Sequence, residues 1–269
     1  MYKLLVLDID GTLVNSRNEV TDKTKEYIKK ASEKGVKVII ASGRTPYGIY
    51  EIAKEIELEK IGGYILALNG ATCIDYKNNK VVFETTLDKE IVEAIYDYSI
   101  EKDVDLITFN KDVIYTPNET SKYIKFIADR NNLNIHKTEN FKEELTFNIP
   151  KVLFLDEPEK IKGLEKETIE RFSNLSIFRS ELYLLEFCPN EIHKGNGIKK
   201  LIEMLGIKKE EVIAVGDGYN DLTMIEFAGL GVAMGNGQEE LKKIADYVTK
   251  SNDDDGICHV IEKFILNQN

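Results

Sequence analysis

Lys3-Leu4-Leu5-Val6-Leu7-Asp8-Ile9-Asp10-Gly11-Thr12-Leu13 is the stretch on which the fold turns. A short apolar run of strand-forming residues stops at two carboxylates, and a glycine follows at once. A run that short and continuous reads as a strand buried on both faces, as in a parallel sheet. The device recurs outward along the chain. Val36–Ala41 is closed by Ser42-Gly43-Arg44, Tyr64–Leu68 by Asn69-Gly70, and Val212–Val215 by Gly216-Asp217-Gly218. Helical spacing lies between these runs. One helix is capped by Thr21, carries Tyr27, Ile28 and Ala31 on one face and stops before Gly35. A second runs through about Ile56, and a third spans Gly195–Leu205 and ends at Gly206. Strands alternating with amphipathic helices predict an α/β fold, a parallel sheet with helices on both faces.

The middle of the chain has another rhythm. Ala71–Glu84 predicts a hairpin turning at Lys77-Asn78-Asn79-Lys80. Beyond it come a helix over Asp88–Ser99, strands Val104–Phe109 and Val113–Tyr115, and a helix over Ser121–Asn131. Strand Lys151–Leu155, helix Glu159–Phe172 and strands Leu175–Arg179 and Tyr183–Phe187 follow. Consecutive hairpins with segregated helices predict an α+β module. Past Pro189 the alternation resumes with helix Asp221–Phe227, strand Gly231–Met234, helix Glu239–Ala245, strand Tyr247–Thr249 and a helix over Gly256–Leu266. The expected organisation is one core domain, 1–85 with 188–269, interrupted by an inserted domain, 86–187.

The chain has 269 residues, with 36 Lys+Arg against 47 Asp+Glu, so its net charge of −11 argues against a dedicated nucleic-acid binder. The opening apolar run is too short for a signal segment or a membrane helix. Three well-separated cysteines, Cys73, Cys188 and Cys258, fit a reducing compartment. The expectation is a cytoplasmic protein with no nucleic-acid or membrane partner, a monomer or small homo-oligomer.

Open parallel sheets bind ligands at the carboxyl ends of their strands. Asp8 and Asp10, Ser42, Lys194, and Asp217 with Asn220 and Asp221 all arrive at that edge. Carboxylates crowded in one cleft repel, and an oxygen-rich cluster suits Mg²⁺. Each piece alone has a plainer reading: a solvated loop or cap for Asp8 and Asp10, a helix N-cap for Ser42, a surface lysine, a turn at Gly216. Their arrival together at four strand ends favours a site.

Asp8-Ile9-Asp10-Gly11-Thr12-Leu13, Ser42, Lys194 and Gly216-Asp217-Gly218-Tyr219-Asn220-Asp221 together resemble the four motifs of the haloacid dehalogenase (HAD) superfamily. Asn69-Gly70-Ala71, Asp254-Asp255-Gly256-Ile257 and the large insertion resemble its Cof-type subfamily, which carries a C2B cap. The resemblance implies a Rossmann-like core with an inserted cap. It also implies a Mg²⁺-dependent phosphatase of small phosphorylated metabolites such as sugar phosphates, phosphorylated cofactors or nucleotides. Asp8 would be the nucleophile of an aspartyl-phosphate mechanism and Asp10 the acid and base. Mg²⁺ would be held by Asp8, Asp217 and the Asp10 carbonyl, with Asp221 orienting that site from behind. Ile9, Ser42, Gly43, Lys194 and Asn220 would bind phosphate.

Two other functions share these residues. A phosphomutase uses the same intermediate, and a phospho-ligand sensor keeps the pocket without turnover, although a pure binder has no need of Asp8 and Asp10 together. Arg44 reads equally as a contact to substrate or cap and as a partner of a surface carboxylate. Phe109, Tyr115, Arg179 and Tyr183 read as leaving-group contacts or as cap core and hairpin surface. His193, His136 and His259 read as structural. Asp253-Asp254-Asp255 reads as a cap on the last helix, or as a cation site.

Overall fold

The computed structural model describes residues 1–131, 133–190 and 192–267. The chain divides into two compact units, Met1–Glu84 with His193–Asn269, and Thr85–Ile192. Its strands are β1 (Leu4–Leu7), β2 (Lys37–Ala41), β3 (Tyr64–Ala67), β4 (Thr72–Asp75), β5 (Lys80–Glu84), β6 (Asp105–Asn110) and β7 (Val113–Thr116). They continue as β8 (Asn134–Lys137), β9 (Val152–Leu155), β10 (Leu175–Glu181), β11 (Leu184–Pro189), β12 (Val212–Gly216), β13 (Leu230–Ala233) and β14 (Tyr247–Val248). The helices are α1 (Asp22–Glu33), α2 (Pro46–Glu55), α3 (Leu58–Ile61), α4 (Lys89–Glu101), α5 (Lys122–Asn131), α6 (Phe141–Glu144), α7 (Pro158–Arg171), α8 (Lys194–Leu205), α9 (Leu222–Phe227), α10 (Glu239–Ile244) and α11 (Gly256–Ile261).

In the first unit the sheet order is β14-β13-β12-β1-β2-β3-β4-β5. From β14 to β3 every pairing is parallel, and β4 and β5 add an antiparallel hairpin at the edge. The opening strand is therefore central, with Leu7 beside Val215 on one side and Ile40 on the other. That register brings the ends of β1, β2 and β12 to one edge, so Asp8, Ser42 and Asp217 leave the sheet side by side. Leu4 and Val6 pack with Ile39, Ala41, Ile198, Leu201, Val212, Ala214 and Met224 in one core cluster. Leu5 and Leu7 on the opposite face are fully buried as well. Each such leucine contributes about 1.5–3 kcal/mol on burial. That is why the apolar run has no polar alternation until it leaves the sheet.

In the second unit the order is β10-β11-β9-β6-β7-β8, antiparallel except for the β7–β8 pair. Side chains alternate between two cores. Leu106, Val152, Phe154, Leu185 and Phe187 meet Val92, Ile95 and Tyr98 of α4 and Ile161 of α7. Ile107, Ile114, Leu153 and Leu155 meet Ile124, Ile127 and Ala128 of α5. No helix among the described residues is long and apolar enough to cross a membrane.

Several local expectations need correction. β8 and α6 escape a periodicity reading because β8 is a largely exposed edge strand with no apolar alternation. The last strand of the second unit runs on to Pro189, and the division between units falls after Ile192. Of Asp253-Asp254-Asp255, Asp255 stands at the N-cap of α11 but makes no side-chain capping bond there. Asp253 instead accepts the Ser16 N–H, Asp254 the Ser251 hydroxyl, and Asp255 the Thr21 hydroxyl and the Lys23 ammonium.

Candidate active site

Asp8 continues β1 and donates its backbone N–H to the Val215 carbonyl (3.0 Å), so the central strand presents this carboxylate at the sheet edge. The chain then turns sharply, with Gly11 at φ 81°. A Cβ on Gly11 would collide with the Asp217 carboxylate. Glycine here satisfies both the backbone conformation and the close approach. Thr12, next in the turn, donates its hydroxyl to Asp217 Oδ1 (2.8 Å).

Lys194 opens α8 with its side chain fully buried, and its Nζ lies 2.5 Å from Asp8 Oδ1 and 2.6 Å from Asp221 Oδ1. Asp221 Oδ2 accepts the backbone N–H groups of Asp217 and Gly218, each at 2.9 Å. Asp221 is thus spent on the lysine and on the Asp217 loop. Asp8 and Asp217 each keep one carboxylate oxygen outside these bonds.

Burial pushes the Asp8 carboxyl well above the usual carboxylate range, with the Lys194 ammonium opposing it and the Asp221 charge adding to it. For Lys194, burial alone would favour the neutral amine. The charges of Asp8 and Asp221 outweigh it and hold the ammonium above the ordinary lysine value. Burial also raises Asp217, against the Thr12 hydrogen bond.

Ligand oxygens of Asp8, Asp217 and Asp221 come within 4.8 Å of one another. Three carboxylates and one ammonium leave this buried cluster with a formal charge of −2. An all-oxygen donor set with that deficit fits a hard divalent cation such as Mg²⁺. The Asp10 carboxylate stands apart, because Arg44 grips both its oxygens at 2.5 and 3.0 Å. Arg44 therefore pairs with an exposed carboxylate, as one of its two readings expected, and that carboxylate is itself a residue of the candidate site.

Ser42 is buried, and its Oγ accepts the Arg44 N–H (3.1 Å). It does not cap α2, whose N-cap is Thr45. Gly43 faces the Asn69 side chain, and Asn220 Nδ2 donates to Asn69 Oδ1 (3.2 Å). Ile9, buried in the first turn, completes the residues named from the sequence. Asp8, Ser42, Lys194, Asp217, Asn220 and Asp221 all come from the same edge of the first unit's sheet.

His193 Nδ1 caps α8 by accepting the Asn196 N–H, in keeping with its structural reading. His259 accepts from or donates to the Tyr247 hydroxyl, and His136 pairs with Glu144. In the second unit Arg179 is tied to Glu165, Tyr183 stacks on Tyr123, Tyr115 packs on Phe147, and Phe109 is buried.

Sequence reasoning passed over Asn236 and Asn252. Asn236 donates to the Gly11 carbonyl and accepts the Asn252 N–H, while Asn252 donates to the Val14 carbonyl. They brace the first turn from more than two hundred residues away, and no local signal marks them. Thr12 and Asn69 stand within quoted motifs, so adjacency was a signal that could have found them.

A family model of haloacid dehalogenase-like hydrolases matches residues 5–261. A haloacid dehalogenase-like hydrolase from Bacteroides thetaiotaomicron superposes with a TM-score of 0.90 at 39% identity, covering 98% of this chain and 99% of that one. The HAD subclass IIB sugar phosphatase BT4131 superposes at 0.78 with 31% identity, over 97% and 98% of the two chains. The 5-amino-6-(5-phospho-D-ribitylamino)uracil phosphatase YwtE of Bacillus subtilis is 29% identical, over 99% of each chain. With this fold and this set of carboxylates, the chain belongs to the haloacid dehalogenase-like hydrolases.

Proposed function

We propose that the protein is a Mg²⁺-dependent phosphatase of small, hydroxyl-rich phosphate monoesters and works through an aspartyl-phosphate. The observation that carries this reading is the buried Asp8 carboxylate, oriented by a fully buried lysine and set beside Asp217. A carboxylate in that position can split one hard displacement into two easier ones. Two of the three relatives are named for their substrates, a sugar phosphate and a phosphoribityl compound, both rich in hydroxyls.

One Asp8 oxygen would attack phosphorus as the ester P–O bond breaks, and Asp10, entering the step as the carboxylic acid, would give its proton to the departing alkoxide. Asp10, now a carboxylate, would take a proton from water as that water attacks the phosphoryl group and releases Asp8. Arg44 fixes the Asp10 carboxylate in direction, and that grip must loosen for the proton transfers. Lys194 offsets negative charge at Asp8, while Ser42, Asn220 and the backbone N–H groups of Ile9 and Gly43 would bind phosphate oxygens. Asp8, Asp217 and the Asp10 carbonyl would hold Mg²⁺, which supplies charge against the repulsion between carboxylate and phosphate dianion. Asp221 would orient Asp217 and Lys194. Selection of the leaving group is assigned to the inserted second unit, as a cap. Three unpaired, buried cysteines suit a cytoplasmic setting.

Phosphate release from a panel of sugar, polyol, cofactor and nucleotide monophosphates tests the reading, with Mg²⁺ or a chelator, for wild type and Asp8→Ala. Release that needs Mg²⁺ and vanishes in the variant is the expected result. Undiminished release by Asp8→Ala would refute it, and an isomerised sugar phosphate without free phosphate would replace it with a mutase.

A further inference from the structure

Leu68, Asn69 and Gly70 have φ values of 53°, 55° and 99°, three left-handed residues in succession directly after β3. Residues other than glycine visit this region rarely, and a bulky residue such as leucine more rarely than asparagine, so the run persists because its surroundings dictate it. Each member is fastened to a segment that bears a site residue. The Leu68 N–H donates to the Arg44 carbonyl and the Asn69 N–H to the Ser42 carbonyl, both at 3.0 Å. A Cβ on Gly70 would stand 2.7 Å from the His193 carbonyl oxygen, at the very start of the helix that carries Lys194.

The Asn69 side chain goes further than its backbone requires. Its Oδ1 holds Asn220, and a Cβ on Gly43 would lie 3.1 Å from that oxygen and 3.3 Å from Nδ2. One neutral amide thus spans the gap between the Ser42–Gly43 turn and the Asn220 turn, segments more than a hundred residues apart. Among the described residues its NH₂ donates to no protein acceptor, although it sits half-buried beside two proposed phosphate contacts. An asparagine chosen for left-handed tolerance alone would have no reason to aim both ends of its amide into the site.

We propose that Asn69 is a further phosphate-side residue: its carbonyl oxygen positions Asn220, and its NH₂ donates to an oxygen of the phosphate monoester beside Gly43. The assignment rests on the proposed phosphatase reading for the identity of that ligand. Two substitutions keep the left-handed backbone. Asn69→Gly removes both amide functions. Asn69→Asp is isosteric and keeps an acceptor for Asn220, but turns the donor into an anionic oxygen.

Inorganic phosphate is titrated into the Mg²⁺-loaded full-length protein by calorimetry, and kcat and KM for phosphate release are measured alongside. Phosphate affinity is expected to fall about tenfold in Asn69→Gly and further in Asn69→Asp, with KM rising in parallel and melting temperatures near wild type. Unchanged phosphate affinity in Asn69→Gly overturns the proposal. So does a loss in Asn69→Gly that Asn69→Asp restores, because no donor would then be at work. Phosphate binding that depends on Asn69, in a protein that hydrolyses no ester, would uphold the assignment while the phosphatase reading fails. Absence of phosphate binding to wild type overturns both.

Discussion

Lys194→Met keeps most of the length and volume of a fully buried side chain and deletes the ammonium that bridges Asp8 and Asp221 at 2.5 and 2.6 Å. Counting Asp217, the local formal charge moves from −2 to −3. Each lost contact is worth about 6 kcal/mol at these separations and an effective dielectric of about 20, offset by the desolvation the lysine no longer suffers. Removing one partner of a buried pair typically costs about 3–5 kcal/mol net. At about 2–4 °C per kcal/mol for a unit of this size, the melting temperature should fall by roughly 6–20 °C. The pH dependence separates this cause from lost packing. The folded Lys194 lies above its ordinary value of 10.5, so its contribution is complete below 10.5 and is lost only as pH rises through the folded value. Asp8 is raised by burial and, in the variant, no longer opposed by Lys194. The native variant then binds a proton more readily than the unfolded chain, and it should gain stability as pH falls from neutral toward the ordinary carboxylate value of 3.8. Melts of wild type and variant across that range, with a chelator and with Mg²⁺, provide the assay. Mg²⁺ should raise the variant's melting temperature more than the wild type's. A melt within about 2 °C of wild type, or variant stability that declines with falling pH, would show that Lys194 is not the counter-charge of this cluster.

Gly11→Ala places a Cβ against the Asp217 carboxylate at a φ of 81°, so it should cost about 1–3 kcal/mol in strain and raise the Mg²⁺ concentration needed for half-maximal activity; unaltered Mg²⁺ dependence counts against the proposed ligand set. In the second unit, Lys151 and Glu186 form an ion pair at 3.0 Å with side chains 12% and 10% exposed. Lys151→Met alone should lower the urea midpoint by the equivalent of about 3 kcal/mol, while Lys151→Met with Glu186→Leu should return to within about 1 kcal/mol of wild type, because an apolar pair replaces an ionic one without leaving a stranded charge. Burial pushes the Cys73 and Cys188 thiols up to about 12. Native protein at about pH 8 should therefore resist iodoacetamide at both until denaturant is added, and rapid native labelling of either would contradict their burial.

The parallel core was legible because its strands are buried on both faces. Apolar runs such as Leu4–Leu7 and Val212–Val215 are too short for buried helices and end at glycine or acidic residues, which marks them as strands buried on both faces. The second unit was legible where its strands feed two cores and faded where they do not. β8 has no buried alternation to betray it. Arg44 illustrates the same boundary at the site. Its charge is plain in the sequence, yet its partner is Asp10, thirty-four positions away and reached only once β1 and β2 lie side by side.

By itself, the sequence determined the chemistry on offer: carboxylates, a lysine, a hydroxyl and amides at strand ends, with glycines where the chain must turn. The tertiary structure decided how those groups divide the work. Burial of Lys194 between two carboxylates turns a lysine into a fixed counter-charge. The N–H groups of Asp217 and Gly218 saturate Asp221 and leave Asp8 and Asp217 as the carboxylates with oxygens to spare. A left-handed run after β3 carries Asn69 across to Asn220. Charge and hydrogen-bonding capacity belong to residues, but their saturation belongs to distances, and distances exist only in the folded chain.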